Sequence, residues 1–189
     1  MIQGIDVSDW QPSVDWNGAV FGFARATEGD TETDPAFDRH RAAMDRAGVL
    51  SGAYHVARPG GDPAVQARNF VDHAGAGLLA VDLRTSDGLP PAEVAAFARR
   101  WCAEVGRLAG VSPIVRTVRH FAAEGNCEGL GDLPLWIAAP GRPMGKPAVP
   151  APWTTWSLHQ YSNSPVNLNV FAGSLEELAA LAARESRGR

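Results

Sequence analysis

The run Leu78-Leu79-Ala80-Val81-Asp82-Leu83-Arg84, read together with the segment that follows it, decides the fold. Four apolar residues in succession are the mark of a strand covered on both faces, as in a parallel sheet with helices packed against it. Thr85-Ser86-Asp87-Gly88 then carries turn chemistry, and Pro90-Pro91 places proline where a helix begins. Beyond them Val94, Ala98, Trp101, Val105 and Leu108 recur at intervals of three and four, the spacing of one buried helical stripe, and Gly110 ends it. Residues 78–110 therefore read as one β/α unit.

Working outward, the same pattern recurs on both sides. Strand-length runs precede it at Ile2–Val7, Phe21–Thr27 and Leu50–His55, and follow it at Pro113–Thr117, Leu135–Ala138, Thr155–Tyr161 and, more briefly, Val166–Val170. Asp34-Pro35 predicts the start of a helix that stops before Gly48, and Asp62-Pro63 the start of another ending near Gly75. Eight strands interleaved with helices predict a barrel. Helical signals thin out after Thr117, where Pro134, Pro140, Pro143, Pro147, Pro150 and Pro152 punctuate a loop-rich region. Ser174 and Glu177 form a capping box for a closing helix, and Glu185–Arg189 is expected to fray. The expected fold is α/β: one domain spanning 1–189, a distorted TIM-like (β/α) barrel with a less regular C-terminal half.

Bulk properties narrow the partners. A chain of 189 residues with 45% hydrophobic content suits one well-buried core. With a formal net charge of −4 there is no basic surface for a polyphosphate backbone, so nucleic acid is not an expected partner. No apolar run approaches a membrane span, and Met1-Ile2-Gln3-Gly4 lacks the basic region and apolar core of a signal peptide, so the expectation is a soluble chain with no export signal of its own and no membrane partner. Cys102 and Cys127 are too few for a disulfide framework and too far apart for a CxxC site; free thiols or one disulfide both fit. His40, His55, His73, His120 and His159 form no spacing that suggests zinc, and no cofactor is expected.

In β/α barrels functional groups gather at the C-terminal ends of the strands. Here those ends offer Asp6, Ser8, Thr27, Glu28, Tyr54, His55, Asp82, Arg84, Arg116, Trp136, Gln160, Tyr161, Asn167 and Asn169. Acids, amides and aromatic faces together suit a sugar chain, whose rings stack on aromatic groups and whose hydroxyls bond to amides and carboxylates. His55 and His159 read as hydrogen-bonded packing residues, and the six tryptophans as core by default, with Trp136 and Trp156 the better groove candidates.

From Gly4 to about Gly173 the chain resembles the family 25 glycoside hydrolases, lysozyme-like N-acetylmuramidases. The resemblance rests on Gly4-Ile5-Asp6-Val7-Ser8 with Trp10-Gln11, Arg25-Ala26-Thr27-Glu28-Gly29, Gly52-Ala53-Tyr54-His55, Val81-Asp82, Leu135-Trp136-Ile137-Ala138, Gln160-Tyr161-Ser162 and Asn169-Val170-Phe171. It implies a distorted barrel acting on peptidoglycan glycan strands. It also implies catalytic roles for Asp6 and Asp82, and substrate contacts from Tyr54, Glu28, Trp136, Gln160, Tyr161 and Asn169.

Two departures matter. The family's usual motif at Asp82 is Asp-x-Glu; residues two apart on a strand share a face, so both carboxyls point into the groove and the glutamate can stay protonated as the acid that glycosidic cleavage requires. Arg84 occupies the glutamate's place, and a guanidinium is a very poor proton donor. Asn167 stands where the family usually carries a further aspartate, leaving Asp6 and Asp82 as the retained acids. His159 for a usual tryptophan and Arg25 for a usual lysine are milder changes. Asp87 and Glu28 do not restore the pair, the first being read as a turn residue and the second as structural or substrate-positioning. A competing reading pairs Asp6 and Asp82 with Arg84 and Arg25 in a buried ionic cluster.

The expected function is a peptidoglycan-directed, muramidase-like domain with hydrolysis lost or severely reduced, a pseudoenzyme that can still bind glycan. Two alternatives stay open. One is an active atypical lysozyme cutting N-acetylmuramic acid–N-acetylglucosamine links; the other is a structural module of a phage or cell-wall assembly with a protein partner. Localisation is left open between phage association and release to the cell wall.

Overall fold

The computed structural model describes residues 1–11 and 13–183. In chain order the elements are β1 (Ile2–Val7), β2 (Phe21–Glu28), β3 (Glu32–Thr33), α1 (Phe37–Arg46), β4 (Leu50–Val56), α2 (Pro63–Ala74), β5 (Leu78–Asp82), α3 (Pro91–Ala109), β6 (Ile114–Thr117), α4 (Arg119–Phe121) running into a π-type turn at Ala122–Asn126, β7 (Leu135–Ala138), β8 (Leu158–Ser162), β9 (Asn167–Phe171) and α5 (Leu175–Ala180). Neighbouring strands run in the order β1-β9-β8-β7-β6-β5-β4-β2, and pairing of β1 with β2 closes the barrel. Seven strands are parallel; β9 runs antiparallel between β8 and β1. The departure from regular β/α repeats thus lies in the second half, where β7, β8 and β9 follow one another without full helical crossovers.

One local expectation needs correction, and one element was not expected. The helix at Asp34-Pro35 starts later, at Phe37, because the Asp34 carboxylate accepts hydrogen bonds from Arg25 and the Asp9 amide as well as from Ala36. The two-residue strand β3 forms a hairpin on β2 with no apolar alternation to announce it. Asp62 caps α2 as expected, Gly110 ends α3 at φ 70°, and Ser174 and Glu177 complete the capping box of α5. The expected fraying of Glu185–Arg189 lies outside the described residues.

Period-two alternation divides each strand between two cores. Outward residues such as Val7, Ala26, Ala53, Val81, Val115 and Ile137 meet the helices, including Phe70 and Trp101. Inward residues Phe21, Phe23, Leu78, Ala80, Ile114, Trp136, Leu158 and Phe171 fill the barrel, and Leu178 of α5 joins them. Glycine at two inward positions makes this filling possible. A Cβ on Gly4 would stand 2.5 Å from the Phe21 ring, and one on Gly52 2.6 Å from the Phe23 ring. Cys102 and Cys127 are both free and buried, and burial pushes their thiols up to about 12 and about 11. Among the described residues no helix is long and apolar enough to cross a membrane.

Candidate active site

Where β1, β5, β6, β8 and β9 reach the mouth, the inward positions turn polar. The register aligns Asp82 with Arg116 and Asp6 with Asn167, so these side chains share one layer above the apolar filling. Arg116 is its centre. Its guanidinium donates to Asp82 Oδ2 at 2.6 Å and to Gln160 Oε1, and lies 3.6 Å from Asp6 Oδ2. The guanidinium carbon sits 4.8 Å from the Trp136 ring centroid and 5.9 Å from that of Tyr54, a cation–π arrangement with both rings. Burial acts to lower the Arg116 pKa, but the Asp82 and Asp6 carboxylates beside it raise it further, so the group stays charged.

The two acids have all their oxygens engaged. Asp82 accepts from Arg84 Nε on Oδ1 and from a terminal nitrogen of Arg84 on Oδ2, both at 2.6 Å, in a bidentate pair. Asp6 accepts from the Asn169 amide at 2.7 Å and from the Asn167 amide at 2.9 Å. Asp6 is 0% exposed and Asp82 2%, whereas the Arg84 side chain is 46% exposed. A second cluster surrounds the rim: Arg25 pairs with Asp9, Asp34 and Glu28, and Arg58 with Glu28 and Asp87. The cation expected to reach Asp6 or Asp82 from β2 therefore serves other acids, and Arg116, not Arg25, completes the buried ionic cluster with Arg84.

The mouth is a cavity of about 410 Å³ lined by Ser8, Trp10, Gln11, Arg25, Tyr54, Val56, Asp82, Arg84, Arg116, Val118, Ala138, Pro140, Gln160, Asn163 and Asn167. A larger groove of about 560 Å³ lies beside α2 and shares no lining residue with the mouth. Among the strand-end residues singled out from sequence, Ser8, Tyr54, Asp82, Arg84, Arg116, Gln160 and Asn167 line the mouth. Asp6 and Asn169 lie beneath it, and Trp136 is 0% exposed with its indole N–H donated to Asn169 at 2.8 Å. Burial raises the Tyr54 pKa, with Asp6 adding to it, so the phenol keeps its proton. Glu28 is held at the side by arginines, and Tyr161 alternates outward, donating its hydroxyl to Gln3. Trp156 contacts His159 edge-on and is absent from the mouth lining.

The aromatic group on the rim is Trp10, 82% exposed, which a default core assignment missed. Its signal is its place in Ser8-Asp9-Trp10-Gln11, a polar loop directly after a strand end. His55 faces outward, accepting from the Thr27 hydroxyl and donating to Gln66, and stacks on Trp101 at 5.3 Å; burial holds its pKa down at about 4. His159 sits between the Gly145 N–H and the Ala139 carbonyl, with burial also lowering its pKa. Neither reaches the mouth lining. Among the described residues no group of three or more His, Cys, Asp or Glu could hold a metal ion.

The sequence profile described as Glycosyl hydrolases family 25 matches residues 5–170. The chain belongs to this family. The family 25 barrel is 29% identical over 211 residues to Lysozyme M1 of Streptomyces globisporus, covering 96% of this chain and 72% of that protein. It is 32% identical over 200 residues to the uncharacterised protein YegX of Escherichia coli K12, covering 95% of this chain and 72% of YegX. The structure of a family GH25 lysozyme from Aspergillus fumigatus superposes with a TM-score of 0.88 at 26% identity, covering 96% of this chain and 99% of that one. The lysozyme of Streptomyces coelicolor gives 0.87 at 27% identity, covering 96% of each chain.

Proposed function

We propose that this family 25 barrel is directed at the glycan strands of peptidoglycan and retains glycan binding at its mouth, with hydrolysis lost or severely reduced. The observation that carries the proposal is the Arg84–Asp82–Arg116 arrangement. Cleavage of a glycosidic bond needs a carboxylic acid that presents a proton to the leaving oxygen and a second group that meets the positive charge at the sugar carbon. Both Asp82 oxygens are occupied by guanidinium N–H groups, and Asp6 is covered by two amides with no surface open to the mouth. Asp9, Glu28, Asp34 and Asp87 are each paired with arginine as well.

Relatives named lysozyme and N,O-diacetylmuramidase support the glycan as the ligand class. The mouth supports binding through Tyr54, Gln160 and Asn167, with Trp10 offering a free aromatic face to a sugar ring. Glu28, Trp136, Tyr161 and Asn169 then act indirectly, holding the wall and floor on which those groups stand.

Dye release from labelled cell walls tests the catalytic half, and a pull-down on insoluble peptidoglycan tests the binding half. The expected result is release at background with retention on the insoluble fraction. Arg84→Glu combined with Asn167→Asp should raise release above that of the parent. Release by the parent that disappears in Asp6→Asn or Asp82→Asn would overturn the loss of hydrolysis; absence from the pelleted wall would overturn binding.

A further inference from the structure

The replacement that removes the proton donor also leaves an unused donor fork in the cavity. A guanidinium carries five N–H bonds. Asp82 takes two of those of Arg84, one from Nε and one from a terminal nitrogen. The opposite edge, formed by the two terminal nitrogens, has no protein acceptor among the described residues, and the side chain is 46% exposed on the wall of the 410 Å³ mouth. Asp82 fixes the plane of the guanidinium, so the free edge is held rather than waving in solvent, and little rotamer freedom remains to be lost on binding. Beside it, Asp82, Arg116 and Asp6 close a formally neutral group of two acids and two arginines. A ligand anion therefore meets a cationic edge whose nearest carboxylate already has both oxygens occupied. Gln160, Asn167 and Asn163 line the same cavity, and Trp10 stands on it.

We infer that Arg84 is a specificity-determining anchor for a carboxylate carried by the bound saccharide, engaged bidentately through its two terminal nitrogens. The inference rests on the glycan-binding reading above and names what that site selects. In the glycan class proposed, the carboxylate has two sources: the lactyl ether of muramic acid when no peptide is attached, or the peptide when one is. The shared chemistry is a planar carboxylate within reach of a sugar ring seated in the mouth, which the guanidinium fork matches and a point cation would not.

Titration of the intact chain with three probes tests this: N,N′-diacetylchitobiose (chitobiose below), which is neutral and has no carboxylate; N-acetylglucosaminyl-N-acetylmuramic acid with its lactyl carboxylate free; and the same disaccharide bearing a stem dipeptide. At low salt at least one carboxylate-bearing probe should bind about tenfold tighter than chitobiose, a preference that shrinks as salt is added. Whichever of the two binds tighter identifies the carboxylate source. Arg84→Gln should erase the preference, so that the carboxylate-bearing probes bind that variant no more tightly than chitobiose does. Arg84→Lys, which keeps the charge and loses the fork, should retain only part of it and guards against a folding defect in the first variant. Equal binding of all three probes would overturn the anchor and leave glycan binding standing. A preference that survives in Arg84→Gln would assign the carboxylate to another residue and overturn the inference. No binding of any probe would overturn both the anchor and the glycan-binding reading.

Discussion

The two ends of the barrel interior are built by the same strands with the same alternation, yet they are stabilised in opposite ways. At the far end Phe21, Leu78, Ile114, Leu158 and Phe171 pack with Leu178 of α5 and contain no polar group to satisfy. At the mouth Asp6, Asp82 and Arg116 are at most 3% exposed, and their stability depends on each charge having its partner. The difference teaches that a truncation at the far end removes contacts, while a truncation at the mouth leaves a charge behind.

Removing the central cation should have the largest effect. Arg116→Ala leaves buried Asp6 without a cation and Asp82 with Arg84 alone, and is expected to cost about 3–5 kcal/mol in denaturant unfolding. Adding Asp82→Asn should recover part of that loss. At the other end Leu158→Ala should cost about 2–5 kcal/mol through lost packing and a cavity, and Asp82→Asn should add to it independently. Rescue in both backgrounds, or in neither, would break the comparison.

The outer wall supplies a pH test of the same logic. His55 is neutral and fully buried with a pKa near 4, below its ordinary 6.5. The unfolded chain therefore binds the proton first, so stability is complete above about pH 6.5 and falls as pH drops toward 4, by up to about 3 kcal/mol from this group. His159 shifts in the same direction. Unfolding free energies measured between pH 7 and pH 4 should show this slope, and His55→Gln should flatten it. An unchanged slope in that variant would assign acid sensitivity elsewhere.

The smallest effect is expected at Arg84. Because its side chain is half exposed and Arg116 still holds Asp82, Arg84→Ala should lower stability by less than about 1 kcal/mol. A thermal scan showing a loss as large as that of Arg116→Ala would mean that the mouth is dry and that both arginines are structural.

Most of the barrel was legible because its signals are local. Strand runs, the proline starts of α2 and α3, the Gly110 stop and the Ser174–Glu177 box each depend on residues a few positions apart. Legibility failed where a side chain answered to a distant partner. Asp34 looked like a helix cap, and Arg25 draws its carboxylate away; Trp10 looked like core, and its loop holds it on the rim. Trp136 looked like groove, and inward alternation places it under Arg116.

By itself, then, the amino-acid sequence determined the barrel, its family and the presence of an arginine two residues after Asp82, since apolar periodicity, turn chemistry and residue identity are all carried along the chain. Only the tertiary structure decided that Arg116 rather than Arg25 is the cation shared by Asp6 and Asp82. It alone also decided that Asn167 and Asn169 cover Asp6, and that one edge of Arg84 has no protein acceptor among the described residues. Those outcomes depend on which strand ends closure of the sheet brings within hydrogen-bond reach, and pairing between residues 34 and 163 positions apart leaves no local trace.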